Sequence, residues 1–93
     1  MTYSIIVSEE AIINIEDALN YYSTVANYVT KDFYKDLEST VESLERNALK
    51  YQIRYRDIRI AHLLKFPYGI HYLVNRNEVI ILKILHHKQS YFA

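Results

Sequence analysis

An α+β domain is predicted, with a helical hairpin on one face of a mainly antiparallel four-stranded sheet in the chain order β-α-α-β-β-β. Three observations predict it. Apolar residues recur at spacings of three and four over the first half, and at two beyond Leu49. Residues 1–45 carry nine Asp or Glu against Lys31 and Lys35, a formal balance of −7. Residues 46–93 carry nine Lys or Arg against Asp57 and Glu78, a balance of +7, and hold all four histidines, His62, His71, His86 and His87. A net charge of zero thus conceals a polarised molecule, with an acidic helical layer and a basic sheet that can face an anionic partner.

Each element follows in order. Tyr3 to Val7, rich in Ile and Val, is a short strand. Ser8 is placed as a helix N-cap, with Glu9 and Glu10 in the first turn where the helix dipole favours them. Ile12, Ile15, Leu19, Tyr22 and Ala26 form one amphipathic stripe. Phase is lost between Val25 and Thr30, where Thr30 offers a second N-cap; a single bent helix is the alternative. Phe33, Leu37, Val41, Leu44 and Ala48 form the next stripe. Ile58 and Ile60 then share one strand face and Arg59 takes the other. Phe66-Pro67-Tyr68-Gly69 suits a type I turn. Tyr68 to Asn75 is the next strand, and Asn75-Arg76-Asn77-Glu78 a second turn. Val79 to His86 is apolar on nearly both faces, so it belongs inside the sheet, with the first strand beside it.

At 93 residues the chain makes one domain, 1–93, with one modest core. It has no cysteine, which excludes disulfides and thiolate metal sites and suits a cytoplasmic location. No signal peptide or membrane span is expected, because no apolar run is long enough. No His-Glu-x-x-His or comparable spacing occurs, so neither metal nor cofactor is expected.

The ordered set Ile5-Ile6-Val7-Ser8-Glu9-Glu10-Ala11, Tyr21-Tyr22, Phe33, Ile58-Arg59, Phe66-Pro67-Tyr68-Gly69-Ile70-His71-Tyr72 and a last strand finishing at His86 resembles the RelE/ParE superfamily. These are toxins of bacterial type II toxin–antitoxin and plasmid stabilisation systems. The resemblance covers essentially the whole chain. It implies a cognate antitoxin whose C-terminal segment wraps over the hairpin and sheet, and a homodimer or a toxin–antitoxin hetero-oligomer. RelE-like members cleave mRNA on the ribosome, whereas ParE-like members poison DNA gyrase. Gly69 stands where several of the nucleases carry Arg, Gln89 stands near another of their Arg positions, and the chain is neutral where they are basic. The ParE side is therefore expected, with a ribosome-dependent endoribonuclease and a non-toxic interaction module as alternatives.

Site residues follow from charge and side-chain chemistry. Arg54, Arg56, Arg59, Lys65 and Lys88 would form a cationic surface for phosphate or for the target; Tyr91 and Phe92, just past the last strand, either stack on a base beside it or form a frayed tail, the tail being the better reading of a C-terminus. The plain alternative is a solvated face with ion pairs worth ~0–1 kcal/mol each. His86 and His87 are adjacent on a strand, so they point to opposite faces. One would face the open surface, as general acid or base if the protein is a nuclease, with Arg59 on the phosphate. By the resemblance, His86 matches the family's strand-terminal His. His62 and His71 are read as structural. Tyr21, Tyr22, Tyr28 and Tyr34 exceed what one helix stripe needs and are assigned to an antitoxin interface, or to the edge of the core.

Overall fold

The computed structural model describes residues 2–89. Strand β1 (Ser4–Val7) leads into helices α1 (Glu9–Ser23) and α2 (Asn27–Asn47), and a short 3-10 turn spans Ala48–Lys50. Four strands follow: β2 (Ile53–Tyr55), β3 (Ile58–His62), β4 (Tyr68–Asn75) and β5 (Glu78–His86). The sheet order is β1-β5-β4-β3-β2. β1 lies parallel to β5, and the other pairs are antiparallel. The predicted architecture holds, including the first strand beside the last. The sheet has five strands rather than four, the additional one being the three-residue β2 paired with β3.

β2 is closed onto β3 by a two-residue loop. Tyr55 pairs with Ile58, and Arg56 and Asp57 between them take φ of 45° and 66°. Positive φ at both positions is the type I′ arrangement, which Asn-Gly usually supplies. Arg76 similarly takes φ 58° in the β4–β5 loop. The β3–β4 turn sits earlier than the predicted type I turn. Tyr68 and Gly69 already belong to β4, and the Leu63 amide donates to the Tyr68 carbonyl.

Ser8 caps α1 as expected: its hydroxyl accepts from the Ala11 amide at 3.1 Å and donates to the Leu82 carbonyl at 2.8 Å. That second bond has a structural reason. β1 pairs with β5 only from Glu78 to Ile81, which leaves the rest of that edge bare. Side chains cover it instead. Ser8 takes the Leu82 carbonyl, Asn14 accepts from the Ile84 amide, and Gln89 accepts from the His86 amide. Buried backbone groups need such partners.

Thr30 does not cap α2. The helix starts a turn earlier, at Asn27, with Ala26 extended before it, and the Thr30 hydroxyl is buried without a hydrogen-bond partner among the described residues. The inward face of α1 is centred on Ala11 and Ala18, which are buried, while Ile12 remains exposed. Small side chains let α1 lie close to β5.

The core lies between hairpin and sheet. Phe33 meets Phe66 and Tyr68 edge-on at centroid distances of 5.3 and 5.2 Å, and Tyr22 joins them. Tyr72, fully buried, donates its hydroxyl to the Ala48 carbonyl at 2.6 Å. β5 carries a bulge at Leu82: His71 pairs with Lys83 and Tyr72 with Ile81. The extra residue shifts the alternation, so Ile81 and Ile84 both face the core. This explains why the strand reads as apolar on nearly both faces.

Candidate functional site

The face of the sheet opposite the helices holds a pocket of ≈ 180 Å³, walled by Arg54, Ile60, His62, Gly69, His71, Leu85, His86, His87 and Gln89. Four antiparallel strands bring these residues together, with Arg54 supplied by β2. Ile60 pairs with His71, His62 with Gly69, and Gly69 with Leu85. Gly69 makes the hollow. A Cβ there would lie 2.8 Å from Ile60 Cγ2 and 3.3 Å from His62 Nδ1, so only a missing side chain lets both neighbours lean over it.

His62 Nδ1 and His87 Nε2 lie 3.0 Å apart, with ring planes at 83°. One nitrogen donates and the other accepts. Burial lowers the His62 pKa, and the positive charges of His87 and Arg54 lower it further. His71 forms the deeper wall at 3% exposure, its Nδ1 2.8 Å from the Tyr55 hydroxyl. Burial, then Lys83, then His62, push its pKa down to about 4, so it is a neutral imidazole at pH 7. No carboxylate lines the pocket among the described residues. No group of three or more His, Cys, Asp or Glu suited to a metal ion occurs among them either. Imidazoles and a guanidinium without an acidic partner can hold an anion or exchange a proton.

The residues singled out from sequence do not all meet here. Arg54 and His87 line the pocket. His86 and His87 diverge as expected. His86 stacks edge-on to Tyr68 at 5.2 Å and also lines a cleft beside α1, and its Nδ1 accepts from the Lys88 amide. Arg59 does point away from Ile60, but the expected sides are exchanged. Ile60 faces the open pocket, while Arg59 donates to the carbonyls of Tyr51 and Leu49 on the helical side. Cross-strand pairing with Tyr72, a core residue, fixes that side. Arg56 sits at the β2–β3 hairpin tip, and Lys65 lies over α2 beside Asp32 and Lys35. Lys88 is exposed in the turn after β5. Tyr91 and Phe92 lie outside the described residues.

His62 and His71, read from sequence as structural, are thus central to the pocket. Their signal was the shared parity of Ile60 and His62 opposite Gly69 and His71, which becomes visible only once the register is known.

The helical layer offers a second, chemically opposite surface. A groove of ≈ 380 Å³ between α1 and α2 has a floor of Ile15, Leu37 and Val41, with Tyr34 beside them and Glu38, Glu42 and Glu45 around it. Tyr21 and Tyr28 stand exposed near the hairpin bend. Tyr22 differs from the other three, since its ring packs in the core against Phe33 and Phe66.

No helix among the described residues is long and apolar enough to cross a membrane. No individually curated protein matches the sequence. The fold is similar to a solved structure titled as the chromosomal ParDE TA system from P. aeruginosa, with a TM-score of 0.79 and 18% identity over 91% of this chain and 96% of that one. The family profile described as ParE toxin of the type II toxin–antitoxin system parDE matches residues 5–91. With that match running from β1 past the end of β5, the chain belongs to the ParE toxin family of type II toxin–antitoxin systems.

Proposed function

We propose that this ParE-family chain acts in the cytoplasm by binding DNA gyrase through the open face of its sheet, and that a cognate antitoxin silences it from the helical face. The observation that carries this is the separation of two surfaces of opposite character. The α1–α2 groove is apolar with an acidic rim of Glu38, Glu42 and Glu45. It suits an antitoxin segment that lays apolar anchors on Ile15 and Val41 and places Lys or Arg against the rim. Tyr34 lines that groove, and Tyr21 and Tyr28 extend the same layer with large rings that lose little entropy on docking. The open face carries Arg54 and the histidines.

A binding role is favoured over a nuclease by the fate of Arg59. Its guanidinium is engaged by the Leu49 and Tyr51 carbonyls, on the side away from His62 and His87. Arg59, the cation expected to hold the scissile phosphate, therefore does not converge with those imidazoles. The test is a supercoiling assay with purified gyrase and purified chain. Dose-dependent loss of supercoiling, with ribosome-bound mRNA left intact, is expected. Unaffected gyrase alongside cut mRNA would overturn the proposal.

A further inference from the structure

We infer that the pocket beneath His62 and His87 is a binding site for a tetrahedral oxyanion of the phosphate or sulfate type, and that it loads as the two rings take up protons. The inference does not depend on which target the toxin has. At ≈ 180 Å³ the pocket holds roughly six waters' worth of space at about 30 Å³ each, well under the ~300–1,000 Å³ of sites for drug-sized ligands. Gly69 leaves the floor open, and Ile60 and Leu85, both buried, wall it.

Charge points the same way. Every element around the pair contributes a cation or an imidazole. Arg54 comes from β2, His71 from β4, and Lys83 and His86 from β5. No Asp or Glu lines the pocket among the described residues. A positively biased hollow without a carboxylate gains most from an anion.

The hydrogen bond between the rings supplies the switch. With His62 Nδ1 and His87 Nε2 3.0 Å apart, the neutral pair shares one proton along that line. One added proton leaves that bond intact between imidazolium and imidazole; a further proton makes both rings positive and sets their N–H groups head to head. The rings part, and both N–H groups need an acceptor between them. One oxygen of the anion meets that need, and Arg54 is placed to meet another. His71 does not compete for these protons, because burial in the wall, with Lys83 and His62 nearby, holds its pKa down at about 4. By linkage, an anion that favours the protonated pair binds more tightly as pH falls.

Sulfate is the first probe, since its charge does not change between pH 5.5 and 8.0. The ring ¹H–¹⁵N resonances of the purified chain are followed as sodium sulfate replaces chloride at constant ionic strength. Both rings are expected to shift together, with affinity about ten-fold higher at pH 5.5 than at 8.0. Arg54→Gln is expected to weaken binding several-fold, and the His62→Ala/His87→Ala double variant to abolish the pH dependence. Both histidines are exposed, so these variants should fold, which an unchanged melting curve would verify. A second arm adds single-stranded oligothymidylate. Competition with sulfate would identify the natural ligand as a strand's phosphodiester, and its absence a small free anion; either agrees with the site. Rings that ignore sulfate, equal affinity at both pH values, or wild-type binding by the double variant would overturn it.

Discussion

Asp36 ought to be the most sensitive polar residue in the molecule. It lies on α2 at 7% exposure, and its carboxylate accepts three backbone N–H bonds from the β3–β4 turn: Leu64 at 3.1 Å, Lys65 at 2.8 Å and Phe66 at 3.0 Å. No other side chain among the described residues ties that turn to the helices so heavily. Bonds to a charged acceptor contribute ~1.5–3 kcal/mol each, but they do not add when water can replace them. The Leu64 and Lys65 residues are exposed, so water can rescue their amides, whereas Phe66 is half-buried in the aromatic cluster. Asp36→Ala is therefore expected to cost about 2–4 kcal/mol. For a domain of this size that lowers Tm by roughly 10–25 °C. Asp36→Asn, which keeps the shape and one carbonyl oxygen, should lose about half as much. Urea denaturation gives the free energy, and amide exchange at residues 64–66 should accelerate ahead of the core strands. A loss below about 0.5 kcal/mol, within ordinary surface variation, would refute the clamp.

Three further outcomes follow from the same geometry. Gly69→Ala places a Cβ 2.8 Å from Ile60 Cγ2, so stability should fall by about 1–3 kcal/mol and the His62–His87 ring contact should be disturbed; an unperturbed His62 resonance would contradict this. Because the folded-state pKa of His71 lies near 4, below the 6.5 of the unfolded chain, the unfolded state binds the extra proton first. Stability should be constant above pH 6.5 and fall by on the order of 2–3 kcal/mol as pH drops from 6.5 to 4, a loss that His71→Gln would remove in a pH series of urea melts. Asp57→Gly relieves a residue held at φ 66° in a type I′ loop, so it should stabilise by about 0.5–1 kcal/mol, and a lower Tm would count against that assignment of the turn.

Much of the fold was legible because its signals are local. The Ser8 cap, the two helical stripes and the alternation of Tyr68, Ile70 and Tyr72 each depend on residues a few positions apart. The inner place of the last strand followed from its apolar character. What escaped was set by long-range pairing. β2 escaped because a type I′ loop made of Arg56 and Asp57 lacks the glycine or asparagine that announces one. Thr30 looked like a cap because hydroxyl chemistry is visible in sequence, whereas the earlier start of α2 at Asn27 is not. The site was harder still. The divergence of His86 and His87 is a local fact and was readable. Which side Arg59 takes depends on its register against Tyr72, and the meeting of His62 with His87 spans 25 positions of chain. Tyr22 could not be told from Tyr21, Tyr28 and Tyr34 by composition; its place against Phe33 separates it.

Covalent footprinting of the chain with and without its antitoxin, read by mass spectrometry, tests most directly whether the two faces have separate tasks. Tyr34, Glu38, Glu42 and Glu45 are expected to lose labelling in the complex while His62 and His87 label as in the free chain. Protection of the two histidines with an unchanged helical groove would contradict it.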